Sequence, residues 1–168
     1  MLFLIGMPGA GKTYWGKKIA ESYQLPFIDI DEVIESEAGM PIAAIFEQHG
    51  EEHFREIEMK VLHNVIGTSS GLGIIACGGG TPAFYDNLER MKKAGCVVYL
   101  SASLATLRHR LEADRNVRPL IDSNMEDKLK DLLSKRAPIY GLADYVVDVE
   151  TATVHTFAQI LETCINRR

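Results

Sequence analysis

Leu2-Phe3-Leu4-Ile5-Gly6-Met7-Pro8-Gly9-Ala10-Gly11-Lys12-Thr13 lies near the start of a 168-residue chain. Four apolar residues running into a glycine read as a short buried strand. From Gly6 onward the residues match G-x-x-x-x-G-K-[ST]. Glycines at those positions let backbone N–H groups turn inward around phosphate oxygens. The helix opening near Gly11 adds its positive end. Lys12 places a cation on the β- and γ-phosphates of a nucleoside triphosphate, and the Thr13 hydroxyl suits Mg²⁺. Gly9, Ala10, Gly11, Lys12, Thr13 and Tyr14 are therefore candidate nucleotide contacts. The alternative, an ordinary glycine turn, does not account for a strand before the motif and a helix after it.

Outward from this loop the chain alternates short apolar runs with helical patterns. Trp15, Ile19 and Tyr23 recur every four residues, which predicts a helix over Lys12–Tyr23. Residues 27–30 read as a strand after Pro26, and 32–37 as a short helix ended by Gly39. A short helix is expected over 41–49 and a longer one over 51–66, where Phe54, Ile57, Val61, Leu62 and Val65 are periodic. Residues 74–77 form a third strand running into Gly78-Gly79-Gly80. A fourth strand at 96–100 precedes a helix at 104–111. Residues 112–123 are polar, basic and without period, so they read as a loop. A helix over Met125–Tyr140, a strand over 145–149 and a helix over 154–165 complete the chain.

Five strands separated by helices imply a parallel α/β sheet covered on both faces. Ligands in such sheets sit beyond the C-terminal ends of the strands. One domain over 1–168 is expected from the length. Apolar residues make up 46% and charged residues 24%, a globular composition. A net charge of −5 argues against general nucleic-acid binding. The apolar run at the N-terminus is too short for a signal-peptide core and has no basic lead-in, and no stretch approaches the length of a membrane span. A soluble cytoplasmic protein is the expectation. Cys77, Cys96 and Cys164 are widely spaced and odd in number, which disfavours a metal framework or a disulfide scaffold and fits a reducing compartment.

Several further clusters carry chemistry. Asp29 and Asp31 close the second strand, where alternation puts both carboxylates on one side. They suit water bound to Mg²⁺ or an acceptor hydroxyl; the plainer reading is an N-cap pair for the next helix. The third strand lacks the acid that many P-loop ATPases carry after an apolar run, so the metal's carboxylate support falls to Asp29. Arg55 and Glu58 lie three apart on one helix face. Alone they read as a surface ion pair worth about 0.3 kcal/mol. The sharper reading is a guanidinium fork for a planar anion, its rotamer held by Glu58. The glycine triplet costs backbone entropy that close approach to a ligand would explain. Arg108, Arg110, Arg115 and Arg118 fall within eleven residues, as a solvated loop or as a lid bringing an arginine to the γ-phosphate. His49 and His53 flank Gly50 at a spacing unlike a zinc helix, and Cys77 has no base beside it in sequence.

Together these residues resemble the shikimate kinase family. The resemblance runs from Leu2 to the region of Arg136 and Tyr140. It rests on the phosphate loop, Asp29-Ile30-Asp31, Phe54-Arg55-x-x-Glu58, Gly78-Gly79-Gly80, Arg118-Pro119-Leu120 and Lys135-Arg136-Ala137-Pro138-x-Tyr140 in this order. It implies the P-loop fold of the nucleoside monophosphate kinases, a five-stranded parallel sheet with helices on both faces and a lid. It implies transfer of the γ-phosphate of ATP to the 3-hydroxyl of shikimate, on the route to chorismate and the aromatic amino acids. By position, Asp31 would hold shikimate hydroxyls, Arg55 and Arg136 its carboxylate, and Phe46 and Phe54 its ring. Glu58, Gly78, Gly79 and Gly80 would complete the acceptor site within a region of about 31–62 and the triplet. Lys12, Asp31 and Arg118 would be catalytic, with Arg118 on a lid of about 112–123. Thr13 would hold Mg²⁺ with Asp29 behind it, and Arg108 or Arg110 would face adenine. No residue is assigned between Glu150 and Thr153. A monomer is expected. Alternatives are a gluconate or nucleoside monophosphate kinase of the same fold, or a regulatory protein that binds ATP without turnover.

Overall fold

A computed structural model describes residues 1–69, 71–113 and 125–166. Its centre is a five-stranded parallel sheet in the order β2-β3-β1-β4-β5. The strands are β1 (Leu2–Ile5), β2 (Phe27–Asp29), β3 (Ile74–Ala76), β4 (Cys96–Ser101) and β5 (Tyr145–Asp148). Every residue of β1 is buried, as a central strand covered on both faces requires. Leu2 pairs with Ile74 on one side and Cys96 on the other. From β1 the chain steps out to β2, and later crosses to β4 on the other side. The C-terminal end of β1 therefore lies at a topological switch, where a crevice opens.

The helices are α1 (Lys12–Tyr23), α2 (Ile30–Ala38), α3 (Ile42–Thr68), α4 (Asn87–Ala94), α5 (Leu104–Ala113), α6 (Met125–Tyr140) and α7 (Val154–Asn166), with a 3₁₀ turn at Thr81–Ala83. The α1 helix buries Trp15 and Ile19, and Trp15 meets Phe157 of α7 at a ring separation of 5.1 Å. Among the described residues no helix is long and apolar enough to cross a membrane.

Three expectations need correction and one, at Gly50, holds. The second strand stops at Asp29, and Ile30 already begins α2. Asp29 and Asp31 therefore do not share a strand face by alternation; Asp29 caps the helix and Asp31 sits in its first turn. The two helices expected on either side of Gly50 are present and meet at a kink within α3, where Gly50 leaves helical geometry at φ 82 and ψ 174. Of the loop expected over 112–123, the first two positions are helical, because α5 continues to Ala113; the remainder, with Arg115 and Arg118, lies outside the described residues. Finally, Cys96 and Cys164 are joined by a disulfide with Cα atoms 5.9 Å apart, while Cys77 is free and buried. The odd count of three misled because the bond joins the first residue of β4 to the last turn of α7, a proximity that linear spacing does not report. Closing a loop of 68 residues removes chain entropy from the unfolded state worth about 4 kcal/mol.

Candidate active site

The phosphate loop follows from β1 and its glycines. Gly9 and Gly11 take φ values of 82 and 88, a left-handed backbone that other residues adopt only with strain. Gly11 is the N-cap of α1, whose positive end faces the cleft. Lys12 folds back over the loop, donating from Nζ to the carbonyls of Gly6 at 3.0 Å and Met7 at 3.1 Å. Arg110 reaches the same loop from α5, with Nη1 3.3 Å from the carbonyls of both Gly9 and Ala10. Arg108 instead pairs with Glu112 and Glu126. Of the two arginines open on sequence grounds, Arg110 is the one placed at the phosphate loop. A cleft of about 310 Å³ is lined by Pro8, Lys12, Thr13, Tyr14, Arg110 and both Asp29 and Asp31.

Asp29 performs two tasks. Its Oδ1 accepts the backbone N–H of Asp31 at 3.0 Å, which caps α2. Its Oδ2 accepts the Thr13 hydroxyl at 2.7 Å. That bond uses the hydroxyl's proton and turns its lone pairs outward. The Thr13 oxygen, backed by a carboxylate, fits a hard cation such as Mg²⁺.

Across the cleft, Arg55 is 7% exposed and Glu58 is fully buried. The reading as a surface ion pair is thereby overturned. Arg55 Nη1 donates to Glu58 Oε2 at 2.8 Å. Its Nε and Nη2 both donate to Glu51 Oε1, at 3.3 and 3.1 Å. Three aromatic rings surround the guanidinium, with Phe84 at 4.3 Å, Phe54 at 5.0 Å and Phe46 at 5.9 Å from Cζ. Phe46 and Phe54 also pack on each other at 4.5 Å.

The glycine triplet has a specific reason at each position. A Cβ at residue 78 would lie 2.6 Å from Glu58 Oε1 and 2.9 Å from Asp31 Oδ1. At residue 79 it would lie 3.1 Å from both Arg136 Nη1 and Pro8 Cδ, and at residue 80 it would be 2.6 Å from both terminal nitrogens of Arg55. The triplet is thus a backbone floor against which an acid pair, both arginines and the phosphate loop close in. The expected close approach is to a ligand; the one observed is to the site's own side chains.

Tyr140 ties this floor to α6. Its hydroxyl donates to the Gly79 carbonyl at 2.6 Å, and its ring stacks on Tyr99 of β4 at 4.9 Å. Arg136 lies one turn earlier on α6. Burial pushes the Tyr140 phenol up to about 12, with Arg136 pulling the other way. The phenol is therefore a donor throughout the neutral range. Tyr140→Phe should cost about 1–2 kcal/mol, because the Gly79 carbonyl loses its partner in a buried place, and a thermal melt would register it. A second sign is alkaline. With the folded pKa above the ordinary 10.0, the stabilisation holds below pH 10 and is lost as pH rises towards 12. Melts across that range should show a shallower fall in the variant.

Sequence reasoning missed Phe84, Glu51, Thr81 and Tyr140's bond to Gly79. Glu51 had a signal, its i,i+4 spacing to Arg55; Phe84 and Thr81 had none in a stretch without clear period. Cys77 lies under the site among Glu58, Lys12 and Asp31, and burial pushes its thiol far up, so it stays protonated. His49 and His53 pack with ring centroids 4.9 Å apart and their planes tilted by 50°. Among the described residues no cluster of three or more His, Cys, Asp or Glu side chains is arranged to hold a metal by itself.

The family profile described as shikimate kinase matches residues 8–165. The chain belongs to the shikimate kinase family. A shikimate kinase from a Sulfurihydrogenibium species is 39% identical over 167 residues, covering 99% of this chain and 98% of its own. The crystal structure of shikimate kinase from Bacteroides thetaiotaomicron superposes with a TM-score of 0.89 at 34% identity, covering 96% of this chain and 97% of that one. Shikimate kinase from Acinetobacter baumannii, solved in complex with shikimate, gives a TM-score of 0.85 at 35% identity over 99% and 93% of the two chains. The P-loop fold expected from the sequence is the fold of these shikimate kinases.

Proposed function

We propose that this enzyme transfers the γ-phosphate of ATP to the 3-hydroxyl of shikimate, giving shikimate 3-phosphate and ADP. The observation that carries this reading is the convergence of two arginines on one glycine run beside the phosphate loop. Arg55 closes on Gly80, and Arg136 on Gly79, which itself abuts Pro8. Two guanidiniums at the far end of a phosphate cradle suit an acceptor with a carboxylate at one end and hydroxyls at the other. Phe46, Phe54 and Phe84 offer a flat apolar wall for a six-membered ring.

In this site the phosphate loop binds the triphosphate, with Gly9, Ala10, Gly11 and Thr13 supplying backbone donors. Tyr14 and Arg110 stand at the nucleotide end. The acceptor oxygen attacks the γ-phosphorus, its bond forms as the bond to the bridging β,γ-oxygen breaks, and the transition state is loose. Lys12 meets the charge on the transferring group. Asp31, 2.9 Å from where a side chain at Gly78 would begin, orients the hydroxyl and takes its proton. Mg²⁺ would be held by Thr13 with Asp29 behind it and would neutralise phosphate charge. Arg118 is assigned as the lid cation from the resemblance; it lies outside the described residues. The acceptor region of about 31–62 corresponds to α2 and α3 as far as Leu62, within one domain acting as a cytoplasmic monomer. Coupled ADP release measured side by side with shikimate, gluconate and AMP tests the assignment. Turnover with gluconate or AMP in preference to shikimate would overturn it, and ATP binding with no turnover on any acceptor would revive a regulatory role.

A further inference from the structure

Glu58 faces a geometric problem that the acceptor site must solve. Its side chain is fully buried, and only one of its oxygens, Oε2, meets Arg55. A carboxylate turns easily about its last torsion, which is broad and two-fold. Left with one partner, a buried carboxylate also pays heavily for the water it has lost. Something must hold the second oxygen.

That partner is Thr81. Its hydroxyl donates to Glu58 Oε1 at 2.6 Å, and both residues have no exposed surface. Thr81 is itself immobilised. Its N–H donates to the Gly78 carbonyl at 3.1 Å, and the next turn is closed by the N–H of Ala83 on Gly80 at 2.8 Å. Its carbonyl accepts Asn87 Nδ2 at 2.9 Å from the start of α4. Asn87 is also fully buried, and its Oδ1 has no hydrogen-bond partner among the described residues. The amide is thus held for the donor it directs at Thr81. A single line of buried bonds runs Asn87, Thr81, Glu58, Arg55.

We infer that Thr81 is a positioning residue for the acceptor site: its hydroxyl fixes the Glu58 carboxylate, and through it the plane of the Arg55 guanidinium that receives the acceptor's carboxylate. This rests on the proposed role of Arg55 in shikimate binding. Thr81 touches neither substrate in this scheme. It acts by limiting the orientations available to Arg55, which is otherwise tethered by Glu51, a side chain 58% exposed. The effect should therefore fall on acceptor affinity and leave the nucleotide side alone.

The test compares Thr81→Val, which keeps the shape and removes the hydroxyl, with Thr81→Ser, which keeps the hydroxyl. Initial rates with each substrate varied at a saturating level of the other, and calorimetric titration of shikimate, are read for both. Expected for Thr81→Val is a rise of about tenfold in the shikimate KM and Kd, equal to ~1.4 kcal/mol. The KM for ATP should stay within about twofold, and Thr81→Ser should return the shikimate constants close to those of the parent. Should Thr81→Val not yield folded protein, Thr81→Ala, which also lacks the hydroxyl, carries the same comparison. An unchanged shikimate KM in a folded hydroxyl-free variant overturns the inference. So does a parallel rise in both substrates' KM with a matching drop in melting temperature, since that is the signature of a merely structural residue. If the parent enzyme itself does not turn over shikimate, the acceptor assignment fails. If it does and Thr81→Val behaves like the parent, only the role of Thr81 fails.

Discussion

Lys12→Met should reduce turnover by a factor on the order of 10²–10³ while leaving the fold intact. The size follows from removing one preorganised charge from a site where charge develops in the transition state. Lys12 lies between two carbonyls of its own loop, those of Gly6 and Met7. Those bonds hold its ammonium over the place where phosphate oxygens sit, so little reorganisation is needed when the nucleotide arrives. Methionine keeps the length and loses the charge. The loss should appear in kcat and in kcat/KM for both substrates together, because the interaction strengthens as the phosphoryl group loosens. Single-turnover rates at saturating ATP and shikimate would check it. A variant that kept its turnover but bound ATP weakly would place Lys12 in ground-state binding only.

Arg55→Lys should raise the KM for shikimate by about ten- to a hundredfold, with the KM for ATP unchanged. The guanidinium already serves Glu58 through Nη1 and Glu51 through Nε and Nη2. It can still meet a third carboxylate because a planar fork carries five donors. An ammonium has three rotatable donors on a point charge and cannot serve three acids in fixed directions. Charged hydrogen bonds are worth about 1.5–3 kcal/mol each, and losing one from the acceptor gives the range stated. The alanine variant would be less informative, since an unpaired Glu58 with no exposed surface should cost about 3–5 kcal/mol of stability. Steady-state rates with shikimate varied at fixed ATP distinguish the two effects. An unaltered shikimate KM in Arg55→Lys would remove this side chain from the acceptor site.

The sheet was legible because its central strands are buried on both faces and so read as unbroken apolar runs, Leu2 to Ile5 being the clearest. The long helices were legible through their period, and Gly50 announced its own bend. The α4 helix was not, since in its eight residues Leu88 and Met91 are the apolar side chains before the closing Ala94. That is too few for a period to show. Within the site, residues that carry a motif were readable: the loop to Thr13, Asp29, Arg55 and Glu58. What the chain does not write locally is which side chains meet after folding. Thr81 lies 23 positions from the carboxylate it holds, and Tyr140 lies 61 from the carbonyl it holds. Glu51 is signalled only by its i,i+4 spacing to Arg55, whose guanidinium it holds from one side.

The bond between Cys96 and Cys164 has a consequence for what a protease can do to this molecule. Between those positions lie β4, α5, α6 and β5, and with them Arg110 and Arg136. A single cut anywhere in that interval does not release a fragment, because the two pieces stay bonded at the ends. On a denaturing gel the nicked chain would run as one species until a thiol reductant is added, and then as two. Arg110 beside the phosphate loop and Arg136 beside the glycine triplet are thus carried on a length of chain that survives a break in its own backbone.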